Sequence, residues 1–181
     1  MLKFFSRPAL LVLVSTGLAS TVRAQATAPD LSDPEVAHVA VTANSIDIAL
    51  AKFALSRAKN PEVKKFATTM IADHSAVNQQ AGALAAKLGV TPKDNAVSQS
   101  LTKGAAEARA SVESLHGSAF DMAYITREVG YHQAVLDALD GLLIPTTSNA
   151  ELKKLLVDVR PAIAAHLEHA KMLKASLGVA E

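Results

Sequence analysis

The sequence contains no cysteine, and aromatic residues make up only 4% of its 181 positions. The first absence rules out disulfides, so the fold has to rest on its hydrophobic core. It also removes the lipid-modified cysteine that follows the leader of a lipoprotein. The shortage of aromatics leaves no stacking platform for bases, and there is no basic patch, so nucleic acid is not an expected partner. No stretch alternates apolar and polar residues convincingly as a strand would. A glycine-rich phosphate loop and a nucleophile–base spacing are both missing, which argues against nucleotide and hydrolase chemistry. Alanine is what the chain has in abundance, and with so few aromatics it favours close-packed helices.

Lys3 and Arg7 precede the apolar run Ala9 to Ser20, and Val22-Arg23-Ala24 carries residues tolerated before a cleavage site. Residues 1–24 read as a secretory signal peptide cleaved after Ala24, which predicts a periplasmic or secreted protein. The apolar run is about a dozen residues against the roughly 20 of a spanning helix, so no transmembrane span is expected after cleavage. The leader holds Lys3, Arg7 and Arg23 but none of the 17 acidic residues, so the mature chain is mildly acidic although the full sequence has a formal charge of +1. Residues 25–32 are expected to form a flexible lead-in, and residues 33–178 a single helical-bundle domain.

Helix punctuation is regular. Asp33-Pro34, Asn60-Pro61, Thr91-Pro92 and Ser148-Asn149 supply capping residues, three of them followed by a proline suited to the first helical turn. Ser118 with Asp121 resembles a capping box, and Gly89 and Gly117 follow apolar runs as helix terminators do. The spacing predicts helices over Pro34–Lys59, Pro61–Leu88, Pro92–Leu115, Ala119–Leu142 and Ala150–Leu177. Four carry strong apolar stripes; the third is thinner and reads as a covering or crossover helix. The expected fold is therefore all-α: a ferritin-like up-and-down four-helix bundle with an additional crossover helix. Pro161 is expected to bend the last helix.

Each strong stripe is interrupted by polar residues. Asp47 falls between Ala43 and Leu50, His74 between Met70 and Val77, and His166 between Ile163 and Ala170. Glu128 and His132 lie one turn apart in the fourth helix, with Asp121 two turns before them. Carboxylates and imidazoles converging from four helices make an oxygen/nitrogen donor set, which suits Fe, Mn, Zn or Cu. Asp47 and His74 stand at nearly equal distances from the turn at Asn60 and can face each other. With the next turn placed near Pro145, His132 and His166 differ by roughly 12 Å in height at about 1.5 Å per residue, which predicts two separate polar layers, the second pairing His166 with Asp121 or Glu128. The plainer readings are that His74 and His166 fix the bundle's register, that Asp121 only caps its own helix, and that Glu128 and His132 form a solvated pair. Two Glu-x-x-His strings, Glu35 to His38 and Glu113 to His116, sit at helix ends, away from where a di-iron bundle holds them.

The segments FATTMIADHSAVNQQ, GSAFDMAYITREVGYHQAV and RPAIAAHLEHAKML resemble the signature segments of the exported bacterial family called domain of unknown function 4142. The resemblance implies a ferritin-like four-helix core and an extracytoplasmic location. It matches Asp47 to the family's first-helix acid and Asp73-His74 to its Asp-His pair. Phe120, Asp121, Ala123 and Tyr124 match the start of its fourth helix, and His132 and His166 its later histidines. Glu128 stands where the family usually has methionine, and Tyr131-His132 where it usually repeats Asp-His.

The function expected from the sequence is binding rather than catalysis: a bundle that holds or buffers a transition metal during envelope stress. Asp47 and His74 are the first candidate ligands, with Asp121, Glu128, His132 and His166 behind them. One alternative is a structural or interaction module whose polar core only specifies packing, for which a second copy of the chain is an open partner. The other is a di-metal oxidase or peroxidase, disfavoured because the usual four carboxylates and two mid-helix Glu-x-x-His pairs are missing.

Overall fold

Short polar segments in this chain cap helices, and two of them do so across the bundle. The computed structural model describes residues 30–179; the expected signal peptide (residues 1–24) and residues 25–29 of the expected lead-in lie outside the described residues. The helices are α1 (Asp33–Arg57), α2 (Pro61–Leu88), α3 (Ala96–Glu113), α4 (Gly117–Ala138) and α5 (Ala150–Val179), with no strand among the described residues. α4 continues through a π-helical turn, Leu139–Leu143, into a last helical turn, Ile144–Thr146.

Ser32 rather than Asp33 is the N-cap of α1, and the Glu35 carboxylate accepts from its backbone N–H at 3.0 Å and its hydroxyl at 2.6 Å. Leu31 beside it is buried in the core. Asp33 is thereby released to serve another helix: its carboxylate accepts from the backbone of Ser148 at 2.8 Å and Asn149 at 2.9 Å, just before α5. Asn60 and Asn149 cap α2 and α5 through their side-chain oxygens. The third helix begins at Ala96, not Pro92, because Asn95 is its cap and Lys93 and Asn95 are tied to the backbone of Pro34 and Glu35. α2 ends where Gly89 takes a left-handed φ of 63°, a conformation glycine adopts without steric cost.

These links fix direction. The link after α2 lies against the start of α1, and Arg57 at the end of α1 donates to the Glu113 carbonyl at the end of α3. α3 therefore runs alongside α1 in the same direction and packs mainly on it. α1 pairs antiparallel with α2, and α4 with α5; these are the two most extensive helix contacts. α1 has the length and apolarity of a membrane-spanning helix, yet it packs against α2, α3 and α4 and carries the buried Asp47. α5 runs on through Pro161, which is exposed, as is Val157, whose carbonyl the proline leaves unpaired; water can reach it.

The core has two apolar halves. One holds Phe53, Val63, Phe66, Met70, Phe120 and Tyr124; the other holds Val36, Val39, Leu136, Leu143, Leu156 and Ile163. Each buried side chain of this size stabilises the fold by roughly 1.5–3 kcal/mol. Between the halves lie Asn44 and Asp47 on α1, His74 on α2, Glu128 and His132 on α4, and His166 on α5, all buried.

Candidate metal centre

The helical period brings this layer together: in every helix that contributes, the polar residue replaces an apolar one on the buried stripe. His74 Nε2 lies 2.8 Å from Asp47 Oδ2, and His132 Nε2 lies 3.5 Å from the same oxygen. The rings of His74, His132 and His166 form a triangle with centroids 5.7, 5.4 and 5.4 Å apart. One nitrogen from each of the three lies within 4.8 Å of the others, and ligand atoms of Asp47, Glu128 and His132 form a second such group.

The outer partners of the three rings decide their tautomers. Asn44 donates its amide N–H to the Ala40 carbonyl at 3.0 Å, which turns its oxygen toward His74 Nδ1, 2.6 Å away. An amide oxygen only accepts, so His74 carries its proton on Nδ1. His132 Nδ1 lies 3.0 Å from the Glu128 backbone carbonyl and is likewise the donor. His166 Nε2 lies 2.9 Å from Asp73 Oδ2. Each imidazole thus gives one N–H to an oxygen and turns its other nitrogen inward. Those inner atoms, Nε2 of His74, Nε2 of His132 and Nδ1 of His166, are buried without a hydrogen-bond partner, as are both Asp47 oxygens and Glu128 Oε2. At 2.8 Å, His74 Nε2 and Asp47 Oδ2 are within ion-pair distance of each other. Two lone-pair atoms at that distance repel, so a proton or a cation belongs between them. An outer N–H held by an oxygen with the inner nitrogen left bare is how metal-binding histidines are oriented.

Charge in the layer is strongly perturbed. Burial pushes the Asp47 carboxyl up, but His74, then His132 and Arg127, outweigh it and hold it below its ordinary value. Burial and the Asp47 charge push Glu128 well above the carboxylate range, against the pull of Arg127, whose Nη1 lies 3.3 Å from Glu128 Oε1. Of the two buried carboxyls, Glu128 is therefore the one with the higher proton affinity. Burial lowers His132 to about 4 and also lowers His166.

The structure gathers Asp47, His74, Glu128, His132 and His166 into one layer and leaves Asp121 out of it. Asp121 accepts from the backbone N–H of Lys59 at 3.1 and 3.2 Å and of Asn60 at 2.7 Å, so it ties α4 to the α1–α2 turn. It does not pair with Ser118, which lies inside α4. Nor does His166 pair with Asp121 or Glu128; its partner is Asp73. The separation of about 12 Å expected between His132 and His166 is also corrected, because their rings are 5.4 Å apart. The π turn carries α4 on to Thr146, so the turn falls at Thr147–Asn149 rather than at Pro145, which lengthens one arm and shortens the other. Sequence reasoning missed Asn44 and Arg127. It noticed Asp73 only as the neighbour of His74. The one signal for Asn44 was its place a turn before Asp47 on the same stripe.

In fold, the chain is similar to CopM in the Cu(II)-bound form, with a TM-score of 0.61, 19% identity, and coverage of 81% of this chain and 98% of that one. It is also similar to a DUF305 fragment from Deinococcus radiodurans, with a TM-score of 0.63, 15% identity, and coverage of 83% and 99%. At these identities the likeness is one of fold. No curated protein gives a significant match. Residues 18–173 match the family described as Domain of unknown function (DUF4142), and the chain belongs to that family.

Proposed function

We propose that this protein binds one transition-metal ion in the polar layer, through the inner nitrogens of His74, His132 and His166 and the carboxylate of Asp47, with Glu128 as an additional oxygen donor. The surrounding bundle is read as ferritin-like, with α3 as the crossover helix, and the protein as an exported one that holds or buffers the ion in the cell envelope. The observation that carries this reading is the set of three buried imidazoles, each with its outer nitrogen committed to an oxygen and its inner nitrogen turned toward the buried carboxylate of Asp47. His74 can pair with Asp47 by holding a second proton, but the inner nitrogens of His132 and His166 are still left without a hydrogen-bond partner, and each unpaired buried polar group costs about 1–3 kcal/mol. Three imidazoles with one or two carboxylates suit Cu(II) and Zn better than Mg or Ca. The likeness to a bundle solved with Cu(II) makes that ion the first to try.

The test is elemental analysis of protein recovered from its native compartment, followed by titration of the metal-free protein with Cu(II), Zn, Fe(II) and Mn(II). The expected result is one tightly held ion per chain, with thermal stability rising as the ion is added. His74→Ala and His132→Ala should lose that rise. No uptake of any of the four ions by a folded protein would overturn the reading and leave the structural module.

A further inference from the structure

An ion bound for the layer must cross the bundle wall, because Asp47, His74, Glu128 and His132 are all buried. Among the described residues the structure offers three approaches of different chemistry. One is a cavity of about 410 Å³ enclosed by α1, α2, the π turn and α5, reaching Asn44 and walled mainly by aliphatic side chains such as Ala81, Ala85, Leu139 and Leu156. Its few polar residues are Asp33, Asn44, Asn78 and Asn149; Asp33 already accepts from Ser148 and Asn149 and Asn44 already holds His74, so a hydrated cation finds little charge there in exchange for its water. A second is a pocket of about 390 Å³ between α1, α3 and α4 that is lined by Arg109 and Arg127. Arg127 stands between that pocket and Glu128, so a cation arriving there meets a guanidinium first.

The third approach is the seam between α2 and α5. The Asp73 side chain is 50% exposed there and holds His166 Nε2 at 2.9 Å. The other nitrogen of that ring, Nδ1, is buried and unpartnered, and the ring lies 5.4 Å from both His74 and His132. A single imidazole thus touches a solvent-facing carboxylate on one side and the inner rings on the other. No other histidine in the layer has an exposed partner: His74 leans on the buried Asn44, and His132 on a backbone carbonyl.

We infer that Asp73 and His166 form the port through which the metal enters and leaves: Asp73 collects the hydrated cation at the surface, and His166 passes it to the inner nitrogens. This rests on the metal-binding reading above. The exchange is one of ligands only. Water on the ion is replaced first by the Asp73 carboxylate and then, as the His166 ring swings, by its unprotonated Nδ1; the Nε2 proton stays on the ring, and the ion's charge does not change. A fixed negative charge at the mouth of a low-dielectric wall raises the local cation concentration and the rate of capture. Asp73 is then a residue of the route, not a ligand of the loaded site.

The test is Asp73→Asn, which keeps an oxygen to accept the His166 N–H and removes the charge. Uptake of Cu(II) by the metal-free protein is followed by stopped flow, and release by transfer to a chelator. Association should slow roughly tenfold, and by much more than Kd weakens, because release uses the same port and slows as well. Added salt should slow the wild type and barely affect the variant. Asp73→Glu, which keeps the charge, should stay near the wild-type rate. Association at the wild-type rate in Asp73→Asn would overturn the port and leave the metal site standing. So would a weaker Kd that comes wholly from faster release, the mark of a residue that merely orients His166. A wild-type protein that takes up none of Cu(II), Zn, Fe(II) and Mn(II) would overturn both readings.

Discussion

Glu128 and His132 are neighbours on one face of α4, and burial moves their proton affinities in opposite directions. His132 is lowered from 6.5 to about 4, chiefly by burial. Between those values the unfolded chain binds a proton that the folded chain does not, so stability present above pH 6.5 is lost as pH falls toward 4, in total about 3 kcal/mol. Glu128 has the reverse sign. Its raised affinity favours the folded state below its ordinary value of 4.5, and that contribution disappears as pH rises through the raised value. Metal-free Glu128→Gln should therefore be more stable than metal-free wild type at pH 7–8 and should lose that advantage near pH 4, as urea midpoints across the range will show. Because the Glu128 proton must leave when the carboxylate meets an ion, wild type should release more protons on metal binding than Glu128→Gln. Calorimetry in two buffers of different ionisation enthalpy reads this, and equal proton release in the two proteins would remove Glu128 from the ligand set.

Among the helices, the starts and ends were legible where one residue type does one local job: Asn60 caps α2, Asn149 caps α5, and Gly89 closes α2. They were misread where a carboxylate reaches out of its own helix. Asp33 looks like the cap of α1 but serves the residues before α5, and Asp121 looks like part of a capping box but serves the α1–α2 turn. No local spacing announces a partner tens of residues away. The π turn was illegible for a related reason: Leu139–Leu143 keeps the leucine spacing an ordinary helix would have, and nothing local in it announces the wider turn. The role of Asp121 separates the element from the site. Asp121→Ala removes a buried carboxylate and leaves the backbone N–H groups of Lys59 and Asn60 without their acceptor. The variant should lose about 1–3 kcal/mol in chemical denaturation while binding metal with wild-type affinity. A matching loss of metal affinity would return Asp121 to the site.

At the scale of the molecule, the bundle was legible because its four strong stripes repeat with the helical period. The polar layer was legible residue by residue because Asp47, His74, Glu128, His132 and His166 each break such a stripe. That they form one layer was not legible, since it depends on where the α4–α5 turn falls. The layer splits the core into two apolar halves, and this division is itself testable. Buried charged and polar groups are frequently replaced by apolar side chains of similar volume at no cost, or with a gain of about 1–4 kcal/mol, whereas removing one member alone leaves the others unpaired. The combined variant Asp47→Leu, His74→Leu, Glu128→Leu, His132→Leu and His166→Leu should join the two halves into one continuous core. It should melt above the metal-free wild type, bind no metal, and keep the helical circular dichroism of the parent. His74→Leu alone, which strands Asp47, should melt below it. Such a pair of results would mean that the layer is retained at a cost in stability, as a binding site is. A combined variant that is helical but lacks a cooperative transition would mean the opposite: the polar layer would then be what selects one packing of the helices, and the case for a metal would rest on uptake alone.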